Sequence, residues 1–269
     1  MFNQEIKATA IFVDIRNFTN NLNKFFNSKD YFTLIEKVYK TGLSLSYDLN
    51  LQDSIYINST GDGFLAVIYS KESYLDGYLY SLLLHIILQK HFLDFYKKPL
   101  KTGDYYFGIG LEYGTVRRIT TNCESLKIET YLGNIINKAA RLESLTKDHA
   151  RAPIIFGPQI NEALLLKFKN ISYSKIMDQA KKAKATERAQ LLHQEMSNYN
   201  SFLLSSYLFE HRLKGVETAV PVFRISPTLF DTNKNHFWEL IDTLDKKRKN
   251  NVISILKKID VKLPETISQ

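Results

Sequence analysis

The hydrophobic positions of the chain follow two spacings, which together predict strands alternating with helices. Short apolar stretches rich in β-branched and aromatic residues are typical of strands, and they occur at 7–13, 53–58, 64–69, 106–112, 128–132, 153–156 and 219–225. Apolar residues three and four positions apart are typical of helices packed on a core, and they occur at 14–28, 31–50, 74–95, 134–146, 158–168, 236–244 and 247–259. A Gly-Asp-Gly sequence at 61–63, between two strand-like stretches, favours a tight hairpin.

The order of these elements predicts an α+β fold with helices packed on one face of a sheet. A polar, helix-favouring stretch at 172–200 is rich in Ala, Lys, Gln and Glu, which indicates a helical insertion. We therefore expect one domain over 1–226 and a C-terminal helical appendage over 227–269, which packs on the core or on a partner subunit.

Composition narrows the class of protein without identifying a partner. The chain has 269 residues, of which 44% are hydrophobic, and this is enough apolar material for a large core. The single cysteine, Cys123, excludes a disulfide framework and a cysteine-rich zinc module. The longest apolar stretch, 78–88, is too short to span a bilayer, and no signal peptide precedes it. We therefore expect a cytoplasmic protein without membrane insertion.

The net charge of +8 is compatible with several partners. It fits a nucleic acid, a membrane surface or an anionic substrate, and it also fits a charged surface that only confers solubility. Basic residues are scattered apart from the cluster at 246–249. The charge alone does not choose among these interpretations.

Two carboxylates stand at points where polar side chains suit phosphate chemistry. Asp14 ends a buried strand directly before a helix, whose first N–H groups are free to bind a phosphate. Asp62 lies at the tip of the predicted hairpin. Each has a simpler explanation, since aspartate also caps helices and also occurs in ordinary turns. Two carboxylates on neighbouring turns, however, are what Mg²⁺ ions and a triphosphate require.

A third candidate lies on the helix predicted at 134–146. Asn137 and Arg141 are four residues apart and therefore project from one face of that helix. An amide can orient a sugar, and a guanidinium can neutralise charge that develops on a phosphoryl oxygen. Alternatively, both are ordinary solvent-facing helix residues.

Taken together, these motifs resemble the class III nucleotidyl cyclases, the family of adenylate and guanylate cyclases. The matching stretches follow one another in order over about residues 8–225: they are 12–19, 59–64, 107–114, 131–146, 213–216 and 222–224. The resemblance implies a ferredoxin-like βαββαβ core. It also implies a homodimer whose two active sites are shared between the chains, so that each chain contributes residues to both.

The resemblance also implies roles for individual residues. Asp14 and Asp62 match the aspartates that bind two Mg²⁺ or Mn²⁺ ions per active site, with Ile15 beside them. The backbone of 15–19, including Phe18 and Thr19, matches the segment that holds the phosphates. Asn137 and Arg141 match the pair that acts on the transition state, and Lys214 matches a lysine that contacts the triphosphate. The implied reaction converts a nucleoside triphosphate to a 3′,5′-cyclic nucleotide and pyrophosphate.

The positions that contact the base differ from those of purine cyclases. Adenylate cyclases have Lys and guanylate cyclases have Glu four residues before the second metal-binding aspartate, and here that residue is Asn58. The second base-contacting position is Thr130, which is compatible with ATP. Strand parity places Tyr56 on the same face as Asn58, where its ring either fills the space of a purine's second ring or simply packs against the sheet.

These features resemble the Pycsar pyrimidine cyclases, in which infection triggers synthesis of cyclic UMP or cyclic CMP. We therefore expect an antiviral second-messenger synthase that uses UTP or CTP, UTP being slightly favoured, with a separate cyclic-nucleotide effector that reads the product. The alternatives are a bacterial adenylate cyclase, an inactive cyclase-like nucleotide-sensing module and, least favoured, a nucleic-acid-binding sheet protein.

Overall fold

Strands and helices alternate through the chain in a computed structural model, which describes residues 2–25, 27–97, 105–123, 126–148, 152–182, 187, 203–214, 219–225 and 234–261. The strands in these ranges are β1 (Phe2–Ile15), β2 (Ile55–Ser59), β3 (Gly63–Ile68), β4 (Phe107–Cys123), β5 (Leu126–Leu132), β6 (Ile154–Phe156), β7 (Ser205–His211) and β8 (Val220–Ile225). The helices are α1 (Phe18–Phe25), α2 (Lys29–Asp48), α3 (Ser73–Tyr96), α4 (Asn134–Asp148), α5 (Pro158–Lys169), α6 (Tyr173–Lys182), α7 (Lys234–Asp242) and α8 (Lys246–Lys258).

The described strands form one sheet in the order β2-β3-β1-β4-β6-β8-β7, and β5 pairs with β4 as a hairpin. Only the β4–β6 pair is parallel, and the other pairs are antiparallel. The first four strands in this order, with α2 and α3 as the intervening helices, form the predicted ferredoxin-like βαββαβ arrangement. The α+β fold class is confirmed.

Alternate residues of β1 face different hydrophobic clusters. Ile11 and Val13 belong to the large core that also contains residues of α2 and α3. Ala8 and Ala10 belong to a second cluster, which includes Ala139 of α4. Because successive side chains of a strand point to opposite faces, α4 covers the face opposite α2 and α3. The expectation that the helices pack on one face therefore fails for α4.

Glycine explains why α4 reaches that second face. A Cβ at Gly110 of β4 would lie 2.1 Å from the backbone nitrogen of Glu143 and 2.2 Å from the carbonyl oxygen of Ala139. No side chain fits between β4 and α4 at this point, since real contacts of a Cβ are much longer. The glycines in the 107–114 stretch therefore provide a surface against which α4 packs.

The C-terminal helices are part of the main core. Trp238, Leu240 and Leu256 are buried in the same cluster as the residues of α2 and α3. On α8, Arg248 binds Asp76 and Glu72 at the start of α3, with nitrogen–oxygen distances of 2.7 Å to each. The predicted appendage therefore packs on the core, one of the two positions expected for it.

Several elements differ in extent from the prediction: β1 begins at Phe2 rather than at 7, and α1 begins at Phe18 rather than at 14. The strand β7 was not predicted, and β4 continues to Cys123, well beyond the predicted end at 112. Of the stretch at 172–200, the residues of α6 are helical as expected, and Glu187 is also helical; most of the remainder lies outside the described residues. Among the helices that the structure describes, none is long and apolar enough to cross a membrane.

Candidate active site

The pairing of β1 with β3 brings Asp14 and Asp62 together. Asp14 lies opposite Gly63 in this antiparallel ladder, and Asp62 is the residue directly before Gly63. The two carboxyl groups are close enough for Asp14 to raise the pKa of Asp62. Both side chains are partly exposed at this end of the sheet. Two candidate metal ligands separated by 48 positions in the sequence thus form one site.

The glycines around Asp62 make this arrangement possible. A Cβ at Gly63 would lie 1.7 Å from the carbonyl oxygen of Val13, so only glycine permits the strand to pair this closely with β1. Gly61 has φ of +101°, a backbone conformation that residues other than glycine rarely adopt. The predicted hairpin is confirmed, and its closing hydrogen bond runs from the amide of Thr60 to the carbonyl oxygen of Gly63 at 2.9 Å.

The surroundings of Asp62 disfavour its ionised form. Burial raises the pKa of Asp62, and the adjacent Asp14 carboxyl raises it further, whereas Lys147 acts in the opposite direction. Two neighbouring carboxylates repel each other, so a cation between them stabilises the ionised pair. The site is therefore built to attract positive charge.

The last turn of α4 supplies a cation to this site. The Lys147 ammonium donates a hydrogen bond to Asp14 and lies 3.6 Å from the carboxylate of Glu143, one turn earlier. Burial alone would lower the pKa of Lys147, but the contacts with Asp14 and Glu143 outweigh it and raise the pKa. Glu143 is buried, and this burial raises its pKa to about 7.

Neither Lys147 nor Glu143 was predicted as a site residue. The signal was present in the helical spacing, because Ala139, Glu143 and Thr146 share one face of α4 and all three are buried. A carboxylate on the buried face of a helix indicates a polar partner beneath it. Lys147 itself lies one residue beyond the helix end predicted at 146.

The segment that follows Asp14 turns sharply into α1. Asn17 has φ of +55°, and α1 begins at the next residue, Phe18. The amide of Arg16 donates to the carbonyl oxygen of Tyr106 at 2.8 Å, so this amide is already engaged. The remaining predicted phosphate donors of this segment are the amides of 17–19, at the start of the helix.

The side chains of this segment serve the core more than the site. Ile15 is buried in the main cluster, so the only group it can offer a metal ion is its backbone carbonyl oxygen. Phe18 packs partly buried against that cluster, with its ring 6.4 Å from the ring of Tyr31. The side chain of Thr19 lies outside the described part of the structure.

Asn137 and Arg141 share the exposed side of α4. Ile135, Ala139 and Leu142 bury the opposite side of the helix, while Asn137 and Arg141 are both exposed. The structure thus separates the predicted metal-binding pair from the predicted transition-state pair. Asp14 and Asp62 meet at the end of the sheet, whereas Asn137 and Arg141 face away from the sheet of their own chain.

The predicted base-contacting residues do not all lie on one face. Tyr56 packs against Tyr131, with ring centroids 4.9 Å apart, on the face of the sheet that α4 covers. Asn58, two residues along β2, is exposed on the same face by strand parity. Thr130 is exposed, but it precedes Tyr131 on β5 and therefore points to the other side of that strand. Tyr131, which the sequence analysis did not select, is the β5 residue that contacts Tyr56.

Lys214 is exposed shortly after β7. The residue before it, Leu213, is buried against Leu142 and Leu145 of α4. This packing fixes the chain next to the second half of α4. Within the described part of the chain, Lys214 makes no ion pair with Asp14 or Asp62.

Comparisons with known proteins give a structural match. No protein-family model and no curated protein matches the sequence. A bacterial light-regulated adenylyl cyclase superposes with a TM-score of 0.56 and 16% identity over 96% of this chain and 59% of that chain. The adenylyl cyclase CyaB from P. aeruginosa gives 0.55 and 16% identity over 84% and 96% of the two chains. The guanylyl cyclase Cya2 gives 0.52 and 16% identity over 84% and 94%.

The chain has the fold of a class III nucleotidyl cyclase catalytic domain. It spans 59% of the length of the light-regulated cyclase that it matches. Adenylyl and guanylyl cyclases share this fold at the same low identity, so the fold does not distinguish between bases.

The residues at the end of the sheet fit a divalent metal ion of the kind that class III cyclases use. Carboxylate and carbonyl oxygens are the ligands that Mg²⁺ and Mn²⁺ prefer, and the site offers two carboxylates and the backbone of Ile15. The ammonium of Lys147 against Asp14 shows that a cation is accommodated there. Among the described residues, no group of three or more His, Cys, Asp or Glu side chains is placed to hold a metal ion, and this site offers two. A cyclase-type site needs the substrate's phosphates to complete the coordination.

Proposed function

We propose that the chain is a nucleotidyl cyclase that converts a nucleoside triphosphate to a 3′,5′-cyclic nucleotide and pyrophosphate. The observation that carries this proposal is that the β1–β3 pairing places Asp14 and Asp62 side by side near the start of α1, within a cyclase fold. A paired carboxylate site next to free helix amides suits a metal-bound triphosphate. When bound, two Mg²⁺ or Mn²⁺ ions would make the ribose 3′-hydroxyl more acidic and offset the charge of the phosphates.

The protein's own residues supply position and charge. Asp14 and Asp62 would hold the cations at the end of the sheet, and the amides of 17–19 would orient the terminal phosphates. The ribose 3′-hydroxyl loses its proton to solvent and its oxygen forms a bond to the α-phosphorus, while the bond from that phosphorus to the bridging oxygen breaks and pyrophosphate leaves. Arg141 neutralises the charge that grows on the phosphoryl oxygens, and Asn137 holds the ribose in line for attack.

The proposed active sites are shared by two copies of the chain. Asn137 and Arg141 lie on the exposed side of α4, while the carboxylates lie near the last turn of the same helix. A two-fold dimer in which the Arg141 side of α4 faces the partner's carboxylates would assemble two equivalent sites. Lys214 is proposed to approach the triphosphate in that assembly.

We propose a pyrimidine as the base. Asn58 is uncharged and offers both a donor and an acceptor, which suits the edge of uracil or cytosine. The Tyr56 ring is fixed against Tyr131 beside Asn58, so it narrows the space next to that amide. UTP is preferred over CTP in this proposal, and an ATP-specific enzyme is the alternative.

A biological role follows from the chemistry of the product. A cyclic pyrimidine nucleotide is useful as a messenger only if a separate protein binds it. We therefore propose an antiviral second-messenger synthase of the Pycsar kind, acting through a cyclic-nucleotide effector.

An assay with all four nucleotides tests the proposal. Purified protein is incubated separately with ATP, GTP, CTP and UTP in the presence of Mn²⁺, and the products are separated by chromatography and identified by mass. We expect cyclic UMP as the main product, with cyclic CMP as the minor one. Cyclic AMP as the sole product would contradict the proposed pyrimidine specificity, while the proposed nucleotidyl cyclase activity would stand. No cyclic product from any nucleotide, with the folded protein shown by circular dichroism, would favour an inactive nucleotide-sensing module.

A further inference from the structure

One cation already lies against the candidate metal site. The Lys147 ammonium donates to the Asp14 carboxylate, and it also attracts Asp62 electrostatically. The side chain of Lys147 is 42% exposed, so it is free to change its conformation without disturbing the core. A lysine ammonium and a bound metal ion would compete for the same carboxylate oxygens, because both need close contact with them.

A second carboxylate is positioned to receive this ammonium. Glu143 lies one helical turn before Lys147, with a carboxylate oxygen 3.6 Å from the ammonium. Its other oxygen, Oε1, is buried and has no hydrogen-bond partner among the described residues. A buried carboxylate without a full set of partners is costly, and a closer ammonium would reduce that cost. Glu143 is therefore an acceptor for Lys147 once Asp14 is engaged elsewhere.

We propose that Lys147 is a tethered counter-ion, which occupies the metal site when it is empty and moves from Asp14 towards Glu143 when a divalent metal binds. The proposal rests on the proposed function, because it takes Asp14 and Asp62 as the metal ligands. It makes Lys147 a positioning residue: it offsets the repulsion of the two carboxylates in the empty enzyme and weakens metal binding by competition.

The position of Lys147 explains how the site stays ordered without metal. Two carboxylates in contact repel each other strongly when both are ionised. Lys147 reaches them from the last turn of α4, which is held in place by the close packing of α4 on Gly110. Because Lys147 is part of a packed helix, its ammonium remains next to the carboxylates even when no metal ion is bound.

A binding experiment without nucleotide tests this role. Mn²⁺ is titrated into the 269-residue chain, and the free ion is followed by electron paramagnetic resonance. We expect Lys147→Gln to bind Mn²⁺ at least about tenfold more tightly than the wild-type protein, since the competing ammonium is gone. Lys147→Arg keeps the charge and should bind no more tightly than wild type. The matched control is Lys40→Gln, which removes the charge of an exposed lysine paired with Glu36 and should leave affinity unchanged.

Thermal denaturation separates a counter-ion from a simple structural contact. Without metal, Lys147→Gln should melt at a lower temperature than wild type, because Asp14 and Asp62 lose their counter-ion. Saturating Mn²⁺ should remove this difference. An equal loss of stability with and without Mn²⁺ would show that Lys147 stays on Asp14 in both states, and it would overturn the proposal.

The Asp14→Asn variant distinguishes failure of this inference from failure of the metal assignment. If wild type binds Mn²⁺ and Asp14→Asn does not, the metal site stands. In that case unchanged or weaker binding by Lys147→Gln overturns the role of Lys147 alone. If neither wild type nor Lys147→Gln binds Mn²⁺, the metal assignment and this inference both fail.

Discussion

Replacing Arg248 by methionine should destabilise the whole domain, although Arg248 lies in the last helix. Its guanidinium binds Asp76 at 2.7 Å and 3.2 Å, Glu72 at 2.7 Å and Asp245 at 2.6 Å. Methionine keeps the apolar stem but leaves the nearly buried Asp76 carboxylate without this partner. Breaking a fully buried ion pair costs about 3–5 kcal/mol.

The exposure of these groups reduces the expected cost. The side chain of Arg248 is 23% exposed and that of Asp76 is 10% exposed. We therefore expect a loss of about 2–3 kcal/mol in the free energy of unfolding. At this chain length such a loss lowers the melting temperature by roughly 4–12 °C. The assay is urea denaturation followed by circular dichroism, together with a thermal melt.

The neighbouring Lys249 provides the matched control. It pairs with Asp242 at 2.7 Å, but the Asp242 side chain is 54% exposed. Lys249→Met should therefore cost under about 1 kcal/mol. Equal stability of the Arg248→Met and Lys249→Met variants would refute the reasoning. A separate early transition confined to the C-terminal helices would also refute it, because these helices are buried in the main core and should unfold together with it.

The difference in stability between wild type and Arg248→Met should depend on pH, and the pKa of Glu72 gives the direction. Burial would raise the pKa of Glu72, but Lys167 and Arg248 outweigh it and lower the pKa. A carboxyl whose pKa is lowered on folding stabilises the protein above its unfolded pKa, and that stability is lost as pH falls through its folded pKa. The difference between wild type and Arg248→Met should thus be full at pH 7 and shrink below about pH 4.5.

Three further predictions concern the site and its supports. Gly63→Ala should abolish cyclase activity and lower the melting temperature, because its Cβ would lie 1.7 Å from the Val13 carbonyl oxygen. Gly61→Ala meets no atom within 4 Å and should cost only the backbone strain of its positive φ, about 1–2 kcal/mol. Equal effects of the two variants would contradict the pairing. Burial raises the pKa of Glu112 to about 7, so wild-type stability should fall as pH rises from about 4.5 to 7; Glu112→Gln should flatten this slope in urea titrations, and an unchanged slope would contradict the buried carboxyl. Tyr56→Leu should raise activity with ATP relative to UTP, measured as the ratio of kcat/KM values, because it removes the ring beside Asn58; an unchanged ratio would show that the ring only packs on Tyr131.

The sequence predicted the parts of the fold whose signal is local. The Gly61–Gly63 hairpin and the apolar faces of α2 to α5 have strong periodicity or turn chemistry, and they occur where predicted. The strand β7 was missed because Ser205–His211 lacks a regular alternation of apolar residues and pairs only with β8 among the described strands. The extension of β4 was missed because it is rich in polar residues, which pair with β1 on one side and with β5 on the other.

The candidate site was predictable in its residue types and less so in its geometry. Asp14 and Asp62 were predicted to lie on neighbouring turns, and the register of β1 with β3 shows how the sheet brings them together. The position of Lys147 depends on the close packing of α4 against Gly110. This is a contact between distant segments, which no local sequence pattern reveals. The same packing contradicts the expectation of helices on one face, since a glycine-rich strand indicates close approach only once its partner is known.

Complementation between two inactive variants tests the central claim, a nucleotidyl cyclase with active sites shared between two chains. Asp62→Asn removes a proposed metal ligand, and Arg141→Ala removes the proposed transition-state group. Each variant should be inactive alone with the nucleotide that the wild type cyclises. An equimolar mixture, allowed to exchange subunits, should recover about one quarter of the wild-type activity, because half of the dimers are mixed and each of these has one intact site. Full activity of either variant alone, or no recovery from a mixture shown to contain mixed dimers, would contradict the account.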